Sequence, residues 1–214
     1  MSDSRQRPAL GAPPAELSRF PRARLTSDTV LYRAHTRGRS PWWFSSDLSG
    51  RFDLLAPHGT CYLATDVETA LRERFGHELV ELGVVSFEAA ARTEVSALRV
   101  PVTRWVANTC ARAAASFGMT REISTASDYA LTQAWASALY ATGRQTGIRY
   151  QTRFTTAAAA NAAALFGDAG QQDWPIDPQP TGGVRACSQA GITAARRPTR
   201  RQVRIVEAPP NRRP

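Results

Sequence analysis

The stretch GTCYLATDVETALRERFG, residues 59–76, places a tyrosine, Tyr62, eleven positions before a carboxylate, Glu73, that lies between Arg72 and Arg74. Three other short stretches carry groups able to act on a ligand. LYRAH holds Arg33 inside a strand-like run, beside Tyr32. SGRFD presents Arg51 after Gly50, and GIRYQTRF carries the hydroxyl of Thr152 between Tyr150 and Arg153. An arginine in a strand interior calls for either an internal carboxylate or a bound anion, and its planar fork suits phosphate oxygens. A carboxylate set among such cations can stabilise a developing positive charge or hold a sugar hydroxyl. Each feature has a plain alternative. Arg72–Glu73–Arg74 reads equally as a solvated helix face, Tyr62 as a half-buried core residue, Arg51 as a turn residue, and Thr152 as a strand former.

The elements that must position these groups follow from pattern. DTVLYRAH (Asp28–His35) reads as a strand, Thr36–Asp53 as a long structured loop, and GTCYLA as a second short strand. Asp66 is placed to cap a helix from Val67 to about Phe75, with Gly76 as its stop. LVELGVVSFEA reads as one or two strands, and VTRWVANTCARAAASFG as a helix. SDYALTQAWASALYATG is an amphipathic helix with Ser127 as its cap, and Leu131, Trp135, Ala138 and Leu139 on one face. Thr146–Phe154 reads as a strand, NAAALFG as a short apolar element, DAGQQDWPIDPQPTGG as a loop, and RQVRIVEAPP as a last strand. Strands and helices without regular alternation give a mixed α+β domain over residues 25–208. Residues 1–24, rich in Pro, Ala, Arg and Ser, read as a flexible arm, and 209–214 as a basic tail. The adjacent Trp42 and Trp43 read as packing anchors.

Composition narrows the function classes. The net charge of +9 resides in the two ends: five arginines against Asp3 and Glu16 in residues 1–24, and seven against Glu207 in residues 194–214. Between them fifteen arginines are matched by fifteen carboxylates, and the chain has no lysine. Such a distribution argues against a nucleic-acid interface built into the domain. No apolar run reaches the roughly 18 residues of a membrane span, and the N-terminal stretch has no apolar signal core. Cys61, Cys110 and Cys187 are scattered, as are His35, His58 and His77, so neither a disulfide framework nor a metal site is expected. The simplest location is the cytoplasm.

Taken in order, the LYRAH, GRFD, YLA-to-glutamate, TQAWA and GI-x-Y-x-[ST]-R elements resemble the RES-domain family, over most of residues 29–167. The resemblance implies a mono-ADP-ribosyltransferase-like core. It also implies an NAD-degrading toxin of a toxin–antitoxin pair, with NAD as substrate and no metal. The implied partner is an antitoxin with a helix-turn-helix domain, so contact with nucleic acid would be indirect. By resemblance, Glu73, Arg51, Tyr62 and Thr152 are the catalytic candidates, and Arg33, Tyr32, Arg51 and Tyr62 the NAD-binding ones. The chain departs from the family at the serine: Thr152 stands at the end of the GI-x-Y strand, and Ala130 stands where some members carry another serine. Cleavage of the nicotinamide–ribose bond passes through an oxocarbenium-like state. It needs a carboxylate at the ribose, a cation at the pyrophosphate and an aromatic platform. Nicotinamide leaves as a neutral group, so no strong general acid is required. Transfer of ADP-ribose to a protein, or an inactive binding module, are the alternatives.

Overall fold

The computed structural model describes residues 10–155 and 161–197. The strands are β1 (Arg22–Leu25), β2 (Leu31–Thr36), β3 (Trp43–Phe44), β4 (His58–Ala64), β5 (Val85–Ser86), β6 (Thr93–Leu98), β7 (Arg104–Asn108), β8 (Gly147–Gln151), β9 (Asn161–Asp168), β10 (Gly170–Gln171), β11 (Thr181–Gly182) and β12 (Ala194–Ala195). The helices are α1 (Val67–Leu82), α2 (Phe87–Ala91), α3 (Glu122–Thr125), α4 (Tyr129–Ala141) and α5 (Gly183–Gln189), with a 3-10 turn at Arg112–Phe117. A central sheet runs in the order β1-β7-β8-β9-β4-β2-β6-β11. Its strands pair antiparallel except β7 with β8. The α+β expectation therefore holds.

Strand alternation sorts the side chains into two faces. On the back, Leu31, Cys61, Leu63, Leu98, Val106, Ala163 and Leu165 pack with Trp42 and Phe44. On the front there are two separate packing groups. Tyr32, Ala34 and Val95 meet α1, α2 and α5, while Ala107, Ile148, Tyr150, Ala162, Ala164 and Phe166 meet α4 and the 3-10 turn. The space between these groups is where a ligand can enter. Beneath it the sheet is open: among the described residues β2 pairs with β4 only at Tyr32↔Ala64, whereas β4 pairs with β9 along its whole length.

Several elements depart from the sequence expectation. Helix α1 runs through Gly76 to Leu82 and stops at Gly83, which adopts φ 68° and donates its N–H to Leu79 O. Gly76 instead lets the Phe154 ring approach the helix; a Cβ there would stand 2.3 Å from Phe154 Cδ2. The cap at the other end is as expected, with Asp66 accepting from Thr69 N at 2.7 Å. Helix α1 thus takes up the first part of LVELGVVSFEA, and β5 and α2 take the rest. The stretch expected as a helix over 102–118 begins instead as β7, because pairing with β1 and β8 outweighs its helix-like pattern. Asp128, not Ser127, caps α4. Residues 10–24 are not a flexible arm: Leu10, Leu17 and Phe20 are buried, Gly11 O accepts from Trp135 Nε1, and β1 forms a sheet edge. The expected last strand and tail, like residues 1–9, lie outside the described residues. Trp42 is fully buried and donates from Nε1 to Pro175 O, whereas Trp43 is 52% exposed.

Candidate active site

At the open seam lies a cavity of about 410 Å³, walled by Tyr32, Arg51, Tyr62, Glu73, Tyr129 and Tyr150 among others. Glu73 comes from the cleft side of α1, two turns past its capped start. Its Oε1 accepts from Arg153 N at 3.3 Å, and the neighbouring Phe154 amide also favours the charged carboxylate. Burial pushes its carboxyl above the ordinary value near 4.5; the two amides and the charges of Arg51 and Arg153 oppose that shift. Gly76 sets this geometry, since the close approach of Phe154 to α1 brings the 153–154 backbone to Glu73.

Arg51 faces Glu73 from the loop before β4. It is 9% exposed, donates to Ala126 O at 2.6 Å, and lies 4.9 Å from the centre of the Tyr129 ring. Tyr32 lines the cleft from β2 and Tyr150 from β8. Burial, reinforced by the nearby charge of Glu73, drives the Tyr150 hydroxyl far above its usual range, so it stays protonated.

Three expected site residues are placed differently from their expected roles. Arg33 is among the residues that line the cleft, but its guanidinium is turned to the back layer, where Nη1 donates to Pro41 O, to Trp43 O at 2.9 Å and to Cys61 Sγ at 2.9 Å. It ties β2 to β4 across the seam. Tyr62 lines the cleft, but its hydroxyl is engaged within the protein: it donates to Asp53 Oδ1 at 2.8 Å and accepts from Phe52 N at 2.8 Å. Thr152 is buried outside the cleft lining, and its hydroxyl has no hydrogen-bond partner among the described residues. The chain leaves β8 at Thr152, so the next residue turns its backbone amide, rather than a side-chain hydroxyl, toward Glu73. Ala130, at the alternative serine position, is exposed on α4.

Sequence reasoning missed Asp53, Tyr129, Arg153 and Phe154 as cleft residues. Asp53 stood in the GRFD stretch, and Arg153 beside Thr152, but nothing in either spacing marked a contact with Arg51 or Glu73. No group of three or more His, Cys, Asp or Glu side chains able to hold a metal occurs among the described residues. Nor is any described helix long and apolar enough to cross a membrane.

Fold and cleft define an α+β protein with a ligand-sized opening in its sheet, in which the half-buried Glu73 carboxylate is faced by Arg51 and by tyrosines. The chain belongs to the RES-domain family, whose model matches residues 30–181. Among solved structures it is similar to a chain of the M. tuberculosis MbcT–MbcA toxin–antitoxin complex. The TM-score is 0.60 at 12% identity, covering 78% of this chain and 92% of that one. A comparison with curated proteins gave no match.

Proposed function

We propose that the cleft binds NAD and cleaves its nicotinamide–ribose bond, and that the chain is the toxin of a toxin–antitoxin pair acting in the cytoplasm. The observation that carries this reading is the Glu73 carboxylate, held by the Arg153 backbone amide in a cleft that Arg51 also lines. As nicotinamide leaves, positive charge grows on the ribose. An ionised carboxylate in a water-poor site stabilises that charge and can accept from the ribose 2′-hydroxyl. Arg51 supplies the cation for the pyrophosphate, on a guanidinium already held against Ala126 and Tyr129. Tyr32, Tyr129 and Tyr150 offer ring faces to the nicotinamide and its ribose. Arg33 serves as the strut that holds the back of the seam. Membership of the RES family and likeness to a toxin–antitoxin complex support the toxin role. An antitoxin carrying a helix-turn-helix domain is the partner expected with it.

A second reading rests on the hydroxyl. With Thr152 buried away from the cleft and Ala130 at the other serine position, the chain would be a member that binds NAD or a partner without turnover. A time course of NAD with purified protein, with and without phosphate, separates the readings. Loss of NAD with release of nicotinamide supports the enzyme, and a phosphate requirement identifies phosphorolysis. Labelled NAD that marks a macromolecule identifies transfer to protein. No loss and no labelling overturn the enzyme reading in favour of the binding module.

A further inference from the structure

We propose that Asp53 is the positioning residue for Arg51, and that Tyr62 acts through this brace rather than by touching the substrate. The proposal rests on the reading above for what Arg51 does, but the brace itself is a feature of the loop. Around Arg51 the backbone is held by side chains on both sides. Asp53 Oδ2 accepts from Gly50 N at 2.9 Å, and Gln133 Nε2 donates to Gly50 O at 2.9 Å. Thr132 Oγ1 donates to Arg51 O at 2.6 Å. Tyr62 Oη accepts from Phe52 N, while Thr60 Oγ1 donates to Phe52 O at 2.8 Å. The Tyr62 hydroxyl then donates to the other Asp53 oxygen, Oδ1. One carboxylate therefore ties the residue before Arg51 to the tyrosine that holds the residue after it.

Two further observations separate this brace from an ordinary turn. Asp53 is completely buried, and among the described residues it has no cation within ion-pair distance. A buried carboxylate without a counter-charge is costly to hold, and burial accordingly raises its pKa. Gly50 has no room for a side chain: a Cβ there would stand 2.4 Å from Asp53 Oδ1 and 2.5 Å from the Tyr62 oxygen. The loop thus accommodates the carboxylate–tyrosine pair directly beside Arg51, and the guanidinium emerges between Tyr129 and the carbonyl of Ala126.

Asp53→Asn keeps the shape but cannot accept both bonds, because its NH2 end cannot accept from Gly50 N–H or from the Tyr62 hydroxyl. The experiment follows the Arg51 Nε–H signal by NMR in the full chain, identified by its disappearance in Arg51→Lys, together with kcat and KM for NAD. In wild type the signal is sharp and slow to exchange. In Asp53→Asn it broadens or moves, and kcat/KM falls about 10- to 100-fold, mainly through KM, as expected for a displaced anion-binding group. Tyr62→Phe shifts the same signal in the same direction, and the double variant is no worse than Asp53→Asn alone. A folded Asp53→Asn with an unchanged Arg51 signal overturns the proposal, as do additive losses in the double variant. Should Asp53→Asn not fold, Tyr62→Phe decides: an unchanged Arg51 signal there also overturns it. Absence of NAD turnover in wild type counts against the enzymatic reading alone, because the Arg51 signal still reports on the brace.

Discussion

Strand β4 has two seams that behave in opposite ways. Toward β9 it is zipped along all seven of its residues, from His58↔Asp168 to Ala64↔Ala162. Toward β2 it is joined at Tyr32↔Ala64 alone among the described residues, and the cavity fills the gap. The closed seam satisfies its backbone groups internally and packs small residues, Ala162, Ala163 and Ala164, against both layers. At the open seam a side chain does the joining, Arg33 of β2 to Cys61 of β4 at the back, while the Tyr62–Asp53 pair ties β4 to the loop before it. The same strand thus serves as scaffold on one edge and as site wall on the other. Changes at the closed seam should alter stability with little effect on chemistry, and changes at the open seam should do the reverse.

The largest expected effect is at the open seam. Glu73→Gln retains the acceptor for Arg153 N–H but removes the charge, and the rate of NAD loss should drop by about 10²–10³-fold. Circular dichroism should show the fold intact. A variant that keeps the parental rate would remove Glu73 from the mechanism.

Gly76→Ala should be next. The added Cβ meets the Phe154 ring, which must move and take the Arg153 amide away from Glu73. Activity should fall about tenfold or more. Stability should change little, because the strain is offset by the better helix propensity of alanine, worth about 1 kcal/mol. Thermal melting beside a rate assay checks both halves.

Gly147→Ala tests the zipped part of the sheet next to the closed seam, where β8 pairs with the other edge of β9. Its Cβ would stand 2.6 Å from Ala164 O, a backbone atom of the β8–β9 ladder. It should cost about 1–3 kcal/mol. For a chain of this size each kcal/mol lowers Tm by roughly 2–4 °C. Activity at 20 °C, corrected for folded protein, should stay within about twofold of wild type. A large loss of turnover in the folded fraction would dissolve the contrast between the zipped part of the sheet and the open seam.

The smallest effect is on pH dependence. Because burial raises the Glu73 carboxyl, the folded state holds that proton more tightly than the unfolded chain does. The penalty for ionising it is absent below the ordinary value near 4.5 and grows as pH rises through the raised folded value. Glu73→Gln should therefore melt above wild type at neutral pH, and the gap should close as pH falls toward 4.5. If the ionised form is the working one, activity should also be lost on acidification at a pH above 4.5. Melting curves across pH 4–8 measure the gap directly.

How much was legible in the sequence follows the same division. Local chemistry was readable: the Asp66 cap, the β2 and β4 strands, helix α4 and the α+β class all follow from short patterns, whereas the candidacy of Glu73 and Arg51 came from the family resemblance. What long-range pairing decides was not. The stretch from Arg104 to Asn108 became a strand because β1 and β8 flank it, and Gly76 stayed helical because Phe154 fills the space above it. The assignments of Arg33, Tyr62 and Thr152 came from family order, which gives position along the chain. Their actual contacts depend on strand parity and on the point where β8 ends. Asp53 escaped notice because a carboxylate in a turn has a local explanation, and only the fold shows that Tyr62 and Gly50 meet at it.

Whether NAD is held and cut at the open seam of β4 is decided by a crystal structure of the Glu73→Gln protein soaked with NAD. Intact NAD should lie in the cleft between β2 and β4, with the nicotinamide ribose against residue 73 and the pyrophosphate within hydrogen-bond distance of the Arg51 guanidinium. NAD bound elsewhere on the molecule, or a cleft that stays empty at saturating NAD, would contradict it.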